Sequence, residues 1–243
     1  ALADFCIARD FPHLQGTGEA LYADWFAEVC ERTARLVAEW MRVGFVHGVL
    51  NTDNMNVTGE SFDYGPWRWL PEWEPGFTAA YFDHAGLYAF GRQPEALHWN
   101  CGQLAVALRL HAETAPLVAA LERFGPLYMA AVARRWCWRL GVTSQGLEAD
   151  TQLVAACEAQ MRAEKAQPDA FFFRHRGGRG DAAGAFGEAL AQYSPAATDH
   201  PYWADKAPQS MLIEEVEAIW AAIDAQDDWA PFQAKLARLE AAR

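Results

Sequence analysis

The sequence predicts a mainly α protein with a small β hairpin, and three observations carry that prediction. From Gly18 to about Val43, the residues Leu21, Trp25, Val29, Leu36 and Trp40 fall at helical spacings. Between Phe45 and Asp63 the pattern changes to short β-type runs around a Gly-X pair suited to a tight turn. After Pro94, amphipathic segments follow one another to the end of the chain. At about 150 residues per domain, 243 residues make one large domain or two small ones. A 52% hydrophobic content supplies a packed core.

Taken in order, the residues after Asp4 read as a short lead-in. The long helix then carries Glu31, Arg32, Arg35 and Glu39 largely on its polar side, and Gly44 ends it. Phe45 to Leu50 is a strand-like run, and Asn51-Thr52-Asp53-Asn54 is a polar loop. Met55–Thr58 and Ser61–Asp63 are expected to pair as a hairpin, with Gly59-Glu60 as a two-residue type II′ turn. From Asp63 to Gly91 the chain is irregular, and a loop this long inside a domain usually has a function. Its Trp67, Trp69 and Trp73 either line a peptide groove or pack the loop itself. Helices are expected from Pro94 to about Arg109 and near 113–123, 125–140 and 147–166. After a break at Gln167-Pro168 come a segment near 169–175 and helices near 183–193, 209–225 and 230–242. The glycine-rich stretch His175–Asp181 lacks the strand-loop-helix context of a phosphate cradle and reads as a surface loop.

Composition removes several function classes. Lys plus Arg is 20 and Asp plus Glu is 32, a net charge of −12, which argues against nucleic-acid and anionic-membrane partners. No apolar run approaches the roughly 18 residues of a membrane span, so a soluble, cytoplasmic protein is expected. Cys6, Cys30, Cys101, Cys137 and Cys157 are odd in number and contain no CxxC pair, so free or buried thiols in a reducing compartment are expected. His84, His98 and His111 are too dispersed to suggest zinc, and neither Ser61 nor Ser144 lies in a G-x-S-x-G elbow.

Polar residues crowd between His47 and Gly65. In the expected register Thr58 faces Ser61, Val57 faces Phe62 and Asn56 faces Asp63. Asn54 then faces Gly65 and lies diagonal to Asp63, roughly 7–8 Å away at the backbone. An amide oxygen and a carboxylate at that distance can share one hard cation such as Mg²⁺, which keeps open positions for water or phosphate. Asp53, in the adjacent loop, can point toward whatever the ion holds. The same residues also suit an Asx-rich turn capping a hairpin. The spacing from His47 adds to the metal reading. Protein kinases carry H-R-D-x-x-x-x-N, in which Asn lies seven after His and binds metal. Here His47 and Asn54 are seven apart, and Asp63-Tyr64-Gly65 stands where D-F-G would stand. The position of the kinase base is Val49, and Asp53 is its nearby replacement.

Further residues extend this likeness to a family. Glu31-Arg32-Thr33-Ala34, Trp40-Met41, and the run from Val43 to Met55 with its H-G-V-x-N-T-D-N-M string resemble the SelO (YdiU) family. So do Phe62-Asp63-Tyr64-Gly65-Pro66, Phe90-Gly91-Arg92-Gln93-Pro94 and Trp99-Asn100. The resemblance is strongest over about residues 30–110. One departure is Leu87, where the family tends to have Arg.

The resemblance implies a protein-kinase-like C-lobe with additional C-terminal helices over residues 1–243, the N-lobe being absent from this chain. It implies a pseudokinase that transfers AMP from ATP to Ser, Thr or Tyr hydroxyls of protein substrates. Asp53 would be the catalytic proton acceptor, and Asn54 and Asp63 would bind Mg²⁺ (or Mn²⁺) and, through it, ATP. Positioning is then expected to contribute more than proton abstraction, because carboxylates are weak bases at neutral pH. A monomer is expected. The leading Ala reads as a boundary inside a longer protein, and the isolated chain is expected to be weakly active or inactive. The alternative reading is a non-catalytic, pseudokinase-derived binding module; ordinary kinase activity through Asp53 is disfavoured by Val49.

Overall fold

The structure is a computed structural model that describes residues 1–178, 180–204 and 206–241. Among these the protein is mainly α, with a single two-stranded ribbon of β1 (Phe45–Val46) and β2 (Arg68–Trp69). The chain divides into two compact units. The first holds residues 1–42, 46–67 and 75–132; the second holds 43–45, 68–74 and 133–243.

The first unit begins with α1 (Leu2–Asp10), where the sequence suggested only a lead-in. The helix has one buried residue, Ile7, so its sequence shows no apolar stripe. Its C-terminal end is anchored by Phe11, which is fully buried, its ring edge-on to Trp25 at 6.1 Å and beneath the Arg32 guanidinium at 4.2 Å. Next comes α2 (Gly18–Val43), with the predicted bounds and with Trp25, Phe26, Val29, Cys30, Ala34 and Val37 buried on one face. The unit also holds α3 (Gln93–Leu108), which packs on α4 (Thr114–Glu122). The following helix, α5 (Phe124–Leu140), starts in the first unit and ends in the second.

The second unit contains the ribbon residues Gly44, Phe45 and Arg68–Leu70. Leu70 N–H donates to Gly44 O at 2.9 Å, and the Phe45 and Trp69 rings meet at 4.8 Å. Gly44 sits at φ +69, the left-handed conformation expected of a residue that ends a helix. Helices α6 (Leu147–Glu164), α7 (Pro168–His175) and α8 (Gly184–Leu190) come next, with α6 packed on α8. Gln167 caps α7 by accepting from Ala170 N–H. Trp73, Trp136 and Phe172 form an edge-to-face stack at 5.6 and 5.1 Å, so Trp73 packs the core and does not line a groove. Beside it the buried Arg139 pairs with Asp169 at 2.6 Å, donates to Tyr202 Oη at 2.8 Å and lies 4.4 Å over the Phe172 ring. The unit ends with α9 (Ile213–Gln226) and α10 (Ala230–Ala241), which pack on each other.

Two local expectations are corrected. The strand-like run Phe45–Leu50 is extended only over Phe45–Val46, because His47 N–H turns to the Gln93 side chain and Gly48 takes φ +92. The hairpin is also built differently. Met55 pairs with Ser61, and the turn is Asn56–Gly59, closed by Gly59 N–H to Asn56 O and Asn56 N–H to Glu60 O. Asn56 Oδ1 accepts from Thr58 N–H, which is the Asx turn that the sequence also allowed. The cause is tertiary: a Cβ on Gly59 would come within 2.6 Å of Arg32 Cβ on α2, so the glycine marks a close approach as well as a turn. Of the glycine-rich stretch, Gly177 and Gly178 are left-handed; Arg179 lies outside the described residues, as does Ala242 at the expected end of the last helix.

Candidate functional site

The site lies in the first unit and is built on a fully buried histidine. His47 N–H donates to Gln93 Oε1 at 2.9 Å, and its ring lies 5.6 Å from Trp40 and 5.2 Å from Tyr64. Burial holds the His47 pKa below its ordinary value, outweighing the Phe62 carbonyl and the Asp63 charge, so the imidazole is neutral at neutral pH. Three residues on, Leu50 O accepts from Asn100 Nδ2 at 3.0 Å. Helix α3 therefore supplies two buried amides, Gln93 and Asn100, that hold the loop's backbone from behind.

The loop then forms one 3-10 turn over Thr52–Asn54, closed by Asn54 N–H to Asn51 O at 3.1 Å. Asp53 is exposed on this turn and Asn54 is buried, only 6% exposed. Asn54 Nδ2 donates to Val49 O at 3.0 Å, which fixes the amide and directs its oxygen to the other side. Asn54 O accepts from Phe62 N–H at 3.2 Å and from Ser61 Oγ at 3.0 Å. The residue after Phe62 is Asp63, exposed and left-handed at φ +56, a conformation that Asp tolerates better than most residues. Gly65 N–H to Asp63 O at 2.8 Å and Tyr64 Oη to Ser61 O at 2.8 Å close the turn that carries it.

The backbone of Asn54 is thus tied to Phe62, the residue before Asp63, and Asn54 does not face Gly65 as the expected register had it. Asp53 precedes Asn54 on the same turn. Tyr88 Oη donates to Asn51 Oδ1 at 2.5 Å, and burial together with the charges of Asp83 and Asp53 raises the Tyr88 pKa. Asp83 accepts from Leu87 and Tyr88 N–H, each at 2.8 Å, and so fixes that loop against Asn51. A cavity of about 640 Å³ lies alongside, walled by Leu50, Leu87, Tyr88, Trp99, Val118 and Leu121.

The Asn54 amide oxygen and the exposed Asp63 carboxylate are both hard-oxygen donors. Among the described residues no three His, Cys, Asp or Glu side chains are grouped to hold a metal. A two-residue oxygen set suits Mg²⁺, which keeps several waters and takes phosphate oxygens. Sequence reasoning assigned no role to Gln93, Asn100 or Ser61. For the first two a signal existed: seven residues apart, they share one face of α3 with Leu97 and Cys101, a place where amides are unusual. Ser61 carried no such signal.

The family model for protein adenylyltransferase SelO matches residues 1–183. The chain belongs to the SelO family. Among its relatives, "Protein nucleotidyltransferase YdiU" of Xanthomonas oryzae pv. oryzae is 51% identical over 161 residues, 65% of this chain and 31% of the relative. The protein of the same name from Xanthomonas euvesicatoria is 52% identical over 161 residues, with the same coverage. That of Xylella fastidiosa is 52% identical over 145 residues, 58% of this chain and 27% of the relative. This SelO-family chain thus spans about a third of the length of the curated relatives it matches. No helix of its described residues is long and apolar enough to cross a membrane.

Proposed function

We propose that this chain carries the catalytic loop and metal pair of an enzyme that transfers AMP from ATP to Ser, Thr or Tyr hydroxyls of proteins. The observation that carries the reading is the Asn54–Asp63 coupling: an amide locked on Val49 O and a carboxylate one residue from the Phe62 N–H that binds Asn54 O. The family membership and the relatives' names support nucleotidyl transfer. The helical frame around the loop is read as a kinase-like C-lobe. A lobe covering the nucleotide is assigned to the part of the relatives' length that this chain does not span.

In this mechanism Asn54 and Asp63 would hold Mg²⁺ or Mn²⁺ through an amide oxygen and a carboxylate. When bound, the ion neutralises charge developing on the phosphates. Asp53 receives the proton of the acceptor hydroxyl as its oxygen bonds to the α-phosphorus and pyrophosphate leaves. The exposure of Asp53 allows a protein hydroxyl to reach it. Val49 offers no carboxylate, which disfavours a kinase base at that position.

ATP labelled at the α or the γ phosphate tests the reading. The chain is assayed alone and in place of the segment it matches in the full-length Xanthomonas oryzae relative. Label on protein from α-ATP only, abolished by Asp53→Ala and by Asp63→Ala, is expected in the full-length form. Transfer of γ label would establish a kinase, and no transfer from either ATP would favour a binding module.

A further inference from the structure

Ser61 is buried at the centre of the site, yet it belongs neither to the metal pair nor to the proton transfer at Asp53. Its hydroxyl lies 2.7 Å from His47 Nε2 and 3.0 Å from Asn54 O. The direction of these bonds is set by the other ring nitrogen. Val49 N–H points to His47 Nδ1 at 3.4 Å, a long contact that makes Nδ1 the acceptor and places the ring proton on Nε2. Nε2–H then donates to Ser61 Oγ, with Phe62 O a weaker second acceptor at 3.3 Å. The Ser61 proton is left for Asn54 O.

The result is a directed relay: Val49 N–H to His47, His47 to Ser61, Ser61 to Asn54 O. It starts and ends beside the same amide, because Asn54 Nδ2 donates to Val49 O. Asn54 is therefore held at both its side chain and its carbonyl. The second donor to that carbonyl, Phe62 N–H, belongs to the residue before Asp63.

We propose that Ser61 is a positioning residue for the metal pair: its hydroxyl couples the buried His47 ring to the Asn54 carbonyl and so sets Asn54 relative to Asp63. This rests on the metal reading of Asn54 and Asp63. Without the hydroxyl, Asn54 O loses its Ser61 donor and His47 Nε2–H loses its shorter contact, at 2.7 Å, the one to Phe62 O being 3.3 Å. The loop can then rotate about the remaining bond, which loosens the Asn54 amide relative to Asp63.

The test reads metal binding, not turnover. Mn²⁺ is titrated into the chain and followed by electron paramagnetic resonance, at a temperature where circular dichroism shows each variant folded. The wild-type chain is expected to bind Mn²⁺ at a site lost in Asp63→Ala. Ser61→Ala is expected to weaken that binding about five- to tenfold, the size of one lost buried hydrogen bond. Ser61→Thr, which keeps the hydroxyl, is expected to restore it. Phe171→Leu, in the core of the second unit, lowers stability and should leave Mn²⁺ affinity unchanged, which separates positioning from general loosening. Should Ser61→Ala fail to fold, Ser61→Cys, with its weaker donor, is expected to fall between wild type and complete loss. Equal Mn²⁺ affinity in wild type and the folded Ala or Cys variant overturns the role of Ser61. No Mn²⁺ site in the wild type overturns the metal reading itself, and the proposal with it.

Discussion

Gly48 follows the buried His47 at φ +92, and a Cβ there would meet Pro66 Cγ at 2.8 Å and Ala79 Cβ at 3.2 Å. Two independent restraints therefore require glycine: a backbone angle that side chains disfavour, and lack of space for any side chain. Gly48→Ala is expected to destabilise the chain by about 1–3 kcal/mol, measured as a lowered urea midpoint with an unchanged slope. An unchanged midpoint would mean that Pro66 and Ala79 yield freely. The residues of the site were legible in the sequence to different degrees. Asp53, Asn54 and Asp63 stood out because charged and amide groups interrupt an apolar stretch at a kinase-like spacing. Ser61 did not, because a serine in a short polar hairpin is ordinary, and its significance depends on a histidine fourteen residues earlier.

At the scale of elements, α2 does more than bury an apolar face. Glu28 accepts from Arg32 at 2.6 and 2.9 Å and lies 2.7 Å from His13 Nε2. Arg32 in turn covers Phe11 and presses on the turn at Gly59. Burial acts to raise the Glu28 pKa, but its bonds to His13 and Arg32 outweigh this and hold it below the usual carboxylate value. A carboxyl depressed in the folded state contributes stability above its unfolded pKa and loses it as pH falls through the folded value. Stability measured by urea unfolding is therefore expected to fall as pH drops below about 4.5, and Glu28→Gln should flatten part of that slope. An identical slope in the variant would show that Glu28 contributes nothing there. Helix α2 was legible to its ends because five apolar residues repeat along it and Gly44 stops it. The hairpin register was not, because Gly-X turn chemistry is local. Here the turn is decided by Arg32, which lies 27 positions before Gly59. Helix α1 was hidden for a similar reason: it buries only Ile7, and the packing of Phe11 against Trp25 and Arg32 holds its end.

At the scale of the whole molecule, the net charge of −12 opposes a polyanionic nucleotide. In the proposed reaction the positive charge beside ATP must come from the cation held by Asn54 and Asp63 and from parts of the relatives' length that this chain does not span. The match to the family model ends at residue 183, before α9 and α10, whose described residues bury no apolar side chain. In the proposed reaction two carboxylates are given different tasks: Asp63 holds the metal, and Asp53 accepts a proton. That division is measured by bound Mn²⁺ in the presence of ATP, compared in the wild-type chain, Asp53→Ala and Asp63→Ala. Asp53→Ala is expected to bind Mn²⁺ as the wild type does, whereas Asp63→Ala loses it; full Mn²⁺ binding by a folded Asp63→Ala chain would contradict the assignment.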